Sequence, residues 1–200
     1  MVSGKMKLGI AAAVALGLAA LPAQAQRFSD SYTFIQAVKE RDGAKVEGLL
    51  SSPGSIVVNT KSGDGETGLH IVTRGRDAAW LGFLLKKGAR TDVQDKEGNT
   101  PLLLASQLGW IDGADILLRV GASVDMANGR GETPLIVAVQ KRDLAMARLL
   151  RSKGANPKRT DRVAGYSALD YARQDKRSSA ILKLLESPSA PVREIAGPKL

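Results

Sequence analysis

The chain contains no cysteine, which excludes structural disulfides, Cys-ligated zinc, iron–sulfur clusters and thiol nucleophiles together. Its single histidine, His70, rules out a multi-histidine metal site. Aromatic residues make up 4% of the 200, so a core has to be built from small and aliphatic side chains at close range, an arrangement that favours helices laid on helices. An uninterrupted apolar run does occur, LGIAAAVALGLAAL (Leu8 to Leu21), but its 14 residues fall short of the roughly 20 that span a bilayer as a helix.

That run follows a short basic start, Lys5 and Lys7, and leads to Pro22 and the small-residue ending Ala23-Gln24-Ala25. The order is that of a secretory signal peptide. It predicts cleavage after Ala25, a soluble mature chain from Gln26 with no transmembrane segment, and a periplasmic destination. Without a cysteine beyond the cut, nothing can carry a lipoprotein's lipid. Removing residues 1–25 takes two basic and no acidic residues from a chain of net charge +9, leaving +7. For an exported protein this balance points to acidic protein surfaces or anionic envelope material and not to nucleic acid.

Four segments align along the chain: GETGLHIV from Gly65, GNTPLLLA from Gly98, GETPLIVA from Gly131 and GYSALDYA from Gly165, with leading glycines 33, 33 and 34 residues apart. A second block recurs in phase, FLLKKGA, ILLRVGA and LLRSKGA, with Gly88, Gly121 and Gly154 also 33 apart. A fixed period carried by two landmarks marks a repeat architecture. Thr100 and Thr133 can cap the first free amides of a helix, with Pro101 and Pro134 at the first helical position. Leu102, Ala105, Leu135 and Ala138 fall on one face of that helix, and the second block is the buried stripe of a returning helix ended by its glycine. The unit is two antiparallel helices joined to the next unit by a turn. Such units stack, because none buries both its sides alone.

The pattern resembles the ankyrin repeat, G-x-T-P-L-H-x-A followed by L-L-x-x-G-A, most fully at Gly98 and Gly131. It predicts an all-α solenoid of about five helix-turn-helix repeats with connecting β-turn or hairpin loops, over residues 26–187: about 28–61, 62–94, 95–127, 128–161 and 162–187. The first, FIQAVKERDGAKVEGLLSSPG from Phe34, lacks the T-P-L and reads as a degenerate cap. Residues 188–200, rich in proline, read as a flexible tail.

Three apparent chemical motifs dissolve against this period. GDGETG (Gly63 to Gly68) has the spacing of a dinucleotide loop. Only Gly65 recurs, whereas Gly63 becomes Lys96, Gly129 and Val163, and Gly68 becomes Pro101, Pro134 and Ala168. Gly68, where proline would start the helix, predicts a weaker helix start in that repeat. Gly165-Tyr166-Ser167-Ala168-Leu169 comes within one residue of a serine elbow, yet Ser167 stands at the capping position. His70 matches the family's T-P-L-H histidine, which the resemblance implies hydrogen-bonds neighbouring turn backbone. Leu103, Ile136 and Asp170 depart from it. No catalytic residue, cofactor or metal is expected.

The resemblance further implies protein binding by turn tips and the exposed side of the first helices, a concave strip. Carried over by position, the tips are Asp64 and Glu66; Lys96, Glu97 and Asn99; Arg130 and Glu132; Val163 and Tyr166. The helix ends are Arg74; Gln107 and Leu108; Gln140 and Lys141; Gln174 and Asp175, flanked by Arg76, Trp110, Arg142 and Lys176. With Arg173, the cations among these make much of the strip positive, and Trp110 and Tyr166 are candidate aromatic anchors. The expected function is a monomeric, non-catalytic module binding a protein with an acidic surface. The alternative is attachment to anionic envelope lipid or polysaccharide.

Overall fold

The computed structural model describes residues 23–51 and 57–187. Over them the chain forms five antiparallel helix pairs: α1 (Ala23–Glu40) with α2 (Gly43–Leu50), α3 (Gly68–Arg74) with α4 (Ala78–Lys86), α5 (Pro101–Leu108) with α6 (Ile111–Arg119), α7 (Pro134–Gln140) with α8 (Leu144–Ser152), and α9 (Ala168–Gln174) with α10 (Ser179–Glu186). No strand is present among the described residues, only an isolated bridge between Thr160 and Ser167. The expected signal peptide and tail fall almost wholly outside these limits. The expected cut after Ala25 lies within the first turn of α1. No helix among the described residues is long and apolar enough to cross a membrane.

Hydroxyls start the inner helices. Thr100, Thr133 and Ser167 accept the amides of Leu103, Ile136 and Asp170 at 3.2, 3.3 and 3.2 Å, and Pro101 and Pro134 occupy the first helical position. The outer helices α2, α4 and α8 are capped instead by Asp42, Asp77 and Asp143. The inner row α1, α3, α5, α7, α9 packs neighbour to neighbour more extensively than the outer row. Alanines make the close approach possible: Ala37, Ala105, Ala138 and Ala168 are fully buried. Around them Phe34, Leu69, Leu84, Leu102, Leu117, Leu135, Met146, Leu150 and Ile181 belong to one core running from the first unit to the last. Each such side chain contributes about 1.5–3 kcal/mol on burial.

Gly68, at the start of α3, is also fitted to its neighbours. A side chain there would approach Leu84 Cδ1 at 3.1 Å and the Phe34 ring at 3.4 Å. The first unit needs no T-P-L at the matching register, because α1 begins at Ala23 and is already helical there.

Between units the chain makes tight turns, here called tips. In each, one polar side chain accepts amides further along: Ser62 from Asp64 and Glu66, Asp95 from Glu97 and Asn99, Asn128 from Arg130 and Glu132, Asp161 from Val163, Ala164 and Gly165. Successive tips are tied by single backbone bonds: Lys96 donates to Asp64 at 3.3 Å, Gly129 to Glu97 at 2.9 Å and Arg162 to Arg130 at 2.8 Å. The closeness explains the recurring tip glycine. Gly98 has φ +82°, and a Cβ there would lie 2.5 Å from the Gly129 nitrogen.

Candidate binding surface

His70 lies fully buried at the start of α3. Its Nδ1 accepts the Thr67 amide at 3.1 Å and contacts the Thr67 hydroxyl at 2.9 Å, which places the ring proton on Nε2. That nitrogen donates to the Asn99 carbonyl of the next tip at 2.9 Å. Burial, opposed in part by this bond, pushes the His70 pKa down. With both nitrogens engaged and no exposed surface, the ring has no means of acting on an external substrate. In later units Leu103 and Ile136 replace it with apolar volume, and Asp170 keeps only the local half of its role, accepting the Ser167 amide at 3.0 Å and hydroxyl at 2.6 Å. These bonds hold the Asp170 carboxyl below the usual range.

The sequence-predicted strip is brought together as a surface, but its members divide by what they already touch. Asn99 is 4% exposed and Trp110 8%. Asn99 joins tips: its carbonyl serves His70, its side-chain amide donates to Asp95 and Glu97, and its side-chain oxygen accepts from Gln107 and Asn128. Trp110 sits where α2, α4 and α8 have their capping aspartate, and its ring covers Gly113, whose missing Cβ would stand 2.1 Å from Trp110 Cε3. The anchor role expected of Trp110 is therefore corrected: the ring is spent on the turn between α5 and α6. Tyr166, 41% exposed, remains available.

The arginines at the turns between inner and outer helices do structural work that the sequence reading missed. Arg41, Arg76 and Arg142 occupy the left-handed region at φ 61°, 51° and 56°. Arg41 Nε donates to Asp77 at 2.7 Å and Arg142 Nε to Asp175, each the aspartate at the same turn one unit on. Burial would raise the Asp77 pKa, but bonds from the Trp80 amide and Arg41 outweigh it and hold the carboxyl low. Arg142 holds Asp175 low in the same way. Where Trp110 replaces the aspartate, Arg76 donates to the Leu108 carbonyl instead.

Other cations of the strip are also paired: Arg74 with Glu66, Arg130 with Glu132 at 3.6 Å and Arg173 with Glu186 at 3.3 Å. Lys96, Lys141 and Lys176 are exposed and belong to no ion pair among the described residues. Gln140 and Gln174 are exposed as well, whereas Gln107, Leu108 and Glu132 are half-buried. Exposed Glu97 contributes negative charge, and with Asp64, Glu66 and Asp95 it lines an open hollow of about 420 Å³ beside Arg74 and Lys96.

The strip is thus positive only toward its C-terminal half. Residues 128–187 hold 13 lysines and arginines against 6 acids, net +7, whereas residues 26–127 hold 12 against 13, net −1. This asymmetry was readable in the sequence by counting charge unit by unit. No group of three or more His, Cys, Asp or Glu residues among those described is arranged to hold a metal ion. Family models of ankyrin repeats match residues 34–128, as three copies, and residues 130–162, as a further repeat.

Proposed function

The chain belongs to the ankyrin-repeat family, whose repeats are generally protein–protein interaction modules, and from that premise we propose that it is a non-catalytic, monomeric module exported to the periplasm, where it binds an acidic protein surface. The observation that carries the reading is the excess of basic charge on the last two units, with Lys141 and Lys176 exposed at the ends of α7 and α9 and free of ion pairs among the described residues. The tip bonds and the Arg–Asp contacts hold this surface in place before binding, so little ordering entropy is lost on association. The order of residues 1–25 supports export.

The test is capture of periplasmic proteins on the mature chain and on its Lys141→Glu/Lys176→Glu variant. Arg142 is a poor choice for reversal, because a glutamate there would face Asp175. The proposal expects the variant to lose a protein that the parent retains. A second reading, attachment to anionic envelope lipid or polysaccharide, is favoured by the same charge excess. It expects anionic vesicles or polysaccharide to bind the chain with a steep loss in salt and no dependence on Tyr166.

A further inference from the structure

The tip ladder is repetitive, and its last member differs. The carbonyls of Asp64, Glu97 and Arg130 each receive an amide from the tip 32 residues further on. At the next position in this register, the Val163 carbonyl receives none from the described residues. The glycines tell the same story. A Cβ on Gly65, Gly98 or Gly131 would meet the following tip's backbone at 2.8, 2.5 and 2.7 Å, whereas one on Gly165 would meet nothing within 4 Å among the described residues.

Around this open edge the surface is apolar at the centre and basic at the margin. Val163 is 67% exposed and Tyr166 41%. Lys158, Arg159 and Arg162, on the same loop, are exposed and form no ion pair among the described residues. The loop's one acid, Asp161, is buried and consumed internally by three loop amides and the Tyr171 hydroxyl at 2.5 Å. The edge is also held rigid: the Tyr166 ring packs edge-on against Tyr171, centroids 5.6 Å apart.

We propose that this edge is a docking site for an extended, acidic segment of a partner protein. A backbone amide of the segment donates to the Val163 carbonyl, as the tips do among themselves. An apolar side chain rests on Val163 and Tyr166, and flanking carboxylates meet Lys158, Arg159 and Arg162. Main-chain bonding supplies the common part of the affinity, and the side chains on either side supply specificity. The site rests on the reading of the chain as a protein-binding module, and it names which end of the strip is engaged and in what form.

The probe is a capped peptide of Val-Ile flanked on each side by two glutamates, added to the full mature chain. Binding is followed by fluorescence anisotropy and by amide shifts in a ¹⁵N spectrum. Saturable binding is expected, with shifts concentrated at residues 162–166. Val163→Asp, Arg162→Glu or methylation of the peptide's valine nitrogen should each weaken it by about tenfold or more, the equivalent of 1.4 kcal/mol. Lys45→Glu, an exposed position on α2 of the first unit, should leave it within twofold. Absence of binding overturns the site, as does equal binding of the N-methylated peptide. Equal binding of hexaglutamate, insensitive to Val163→Asp, would instead make the edge a polyanion surface and also overturns it. Binding that appears only after residues 188–200 are deleted would assign the edge to the chain's own tail. If a captured periplasmic protein is released by Lys141→Glu/Lys176→Glu but not by Val163→Asp, the proposed function stands and this site falls.

Discussion

Replacing His70 with leucine supplies the apolar volume that Leu103 and Ile136 provide in the next two inner helices and removes only the ring's polar bonds. The Asn99 carbonyl retains the Asp95 amide at 3.0 Å, so it loses one of two donors, at a cost of about 1 kcal/mol. The Thr67 amide loses its acceptor next to a buried side chain, which costs about 1–3 kcal/mol. Part of this returns if the Thr67 hydroxyl caps the new helix as Thr100 does. The net expectation is a loss of about 2–3 kcal/mol. With urea slopes of about 1–3 kcal/mol/M, that displaces the unfolding midpoint by about 1 M or more.

The same variant isolates a pH dependence, because His70 is the chain's one histidine. Its folded pKa lies below the ordinary 6.5. The unfolded chain therefore takes up the proton first as pH falls. The contribution is fully present above 6.5 and lost as pH falls toward and through the folded value, with a slope of up to about 1.4 kcal/mol per pH unit. The depressed carboxyls Asp77, Asp161, Asp170 and Asp175 withdraw their contributions only below about pH 4. Asp125, raised by burial, acts with the opposite sign. Urea unfolding between pH 7.5 and 5.5 should show a falling midpoint in the parent and a flatter one in His70→Leu. Parallel curves, or a difference under about 0.5 kcal/mol at pH 7.5, would refute the bonding assigned to the ring.

Gly113→Ala should destabilise by about 1–3 kcal/mol through overpacking against Trp110, although alanine is the better helix former by about 1 kcal/mol; thermal melts should show the loss reversed when Trp110→Ala is added. Gly98→Ala and Gly165→Ala share a left-handed backbone, φ +82° and +71°, but only the first meets a neighbouring tip. The second should cost about 1–2 kcal/mol in chemical unfolding and the first clearly more. Arg142→Gly removes the contact with Asp175 but relieves a left-handed non-glycine residue, so its stability should stay within about 1 kcal/mol of the parent.

The repeat, its helices and its capping residues were legible because their causes are local and recur in phase: a hydroxyl before proline, a glycine after an apolar stripe. Trp110 was misread because its fate is decided by Gly113, three residues on in the helix that Trp110 precedes, and a lone glycine within a helix gives no sign of what covers it. The tip-bonding series Ser62, Asp95, Asn128 and Asp161 lies in the same period, yet it changes residue type at every step and so shows no recurring identity in the sequence. The Arg–Asp contacts between units join residues 33 to 36 apart, and pairing at that range follows only once the units are stacked. The open edge at Val163 depends on comparing one tip with its equivalents in three dimensions.

The central claim is that a protein partner is held by the basic end of the strip. The most direct measurement is quantitative capture of periplasmic proteins on the mature chain and on Lys141→Glu/Lys176→Glu, after circular dichroism has shown equal helix content. The account predicts at least one protein retained by the parent and lost from the variant. An unchanged set of captured proteins, or none on either chain, would contradict it.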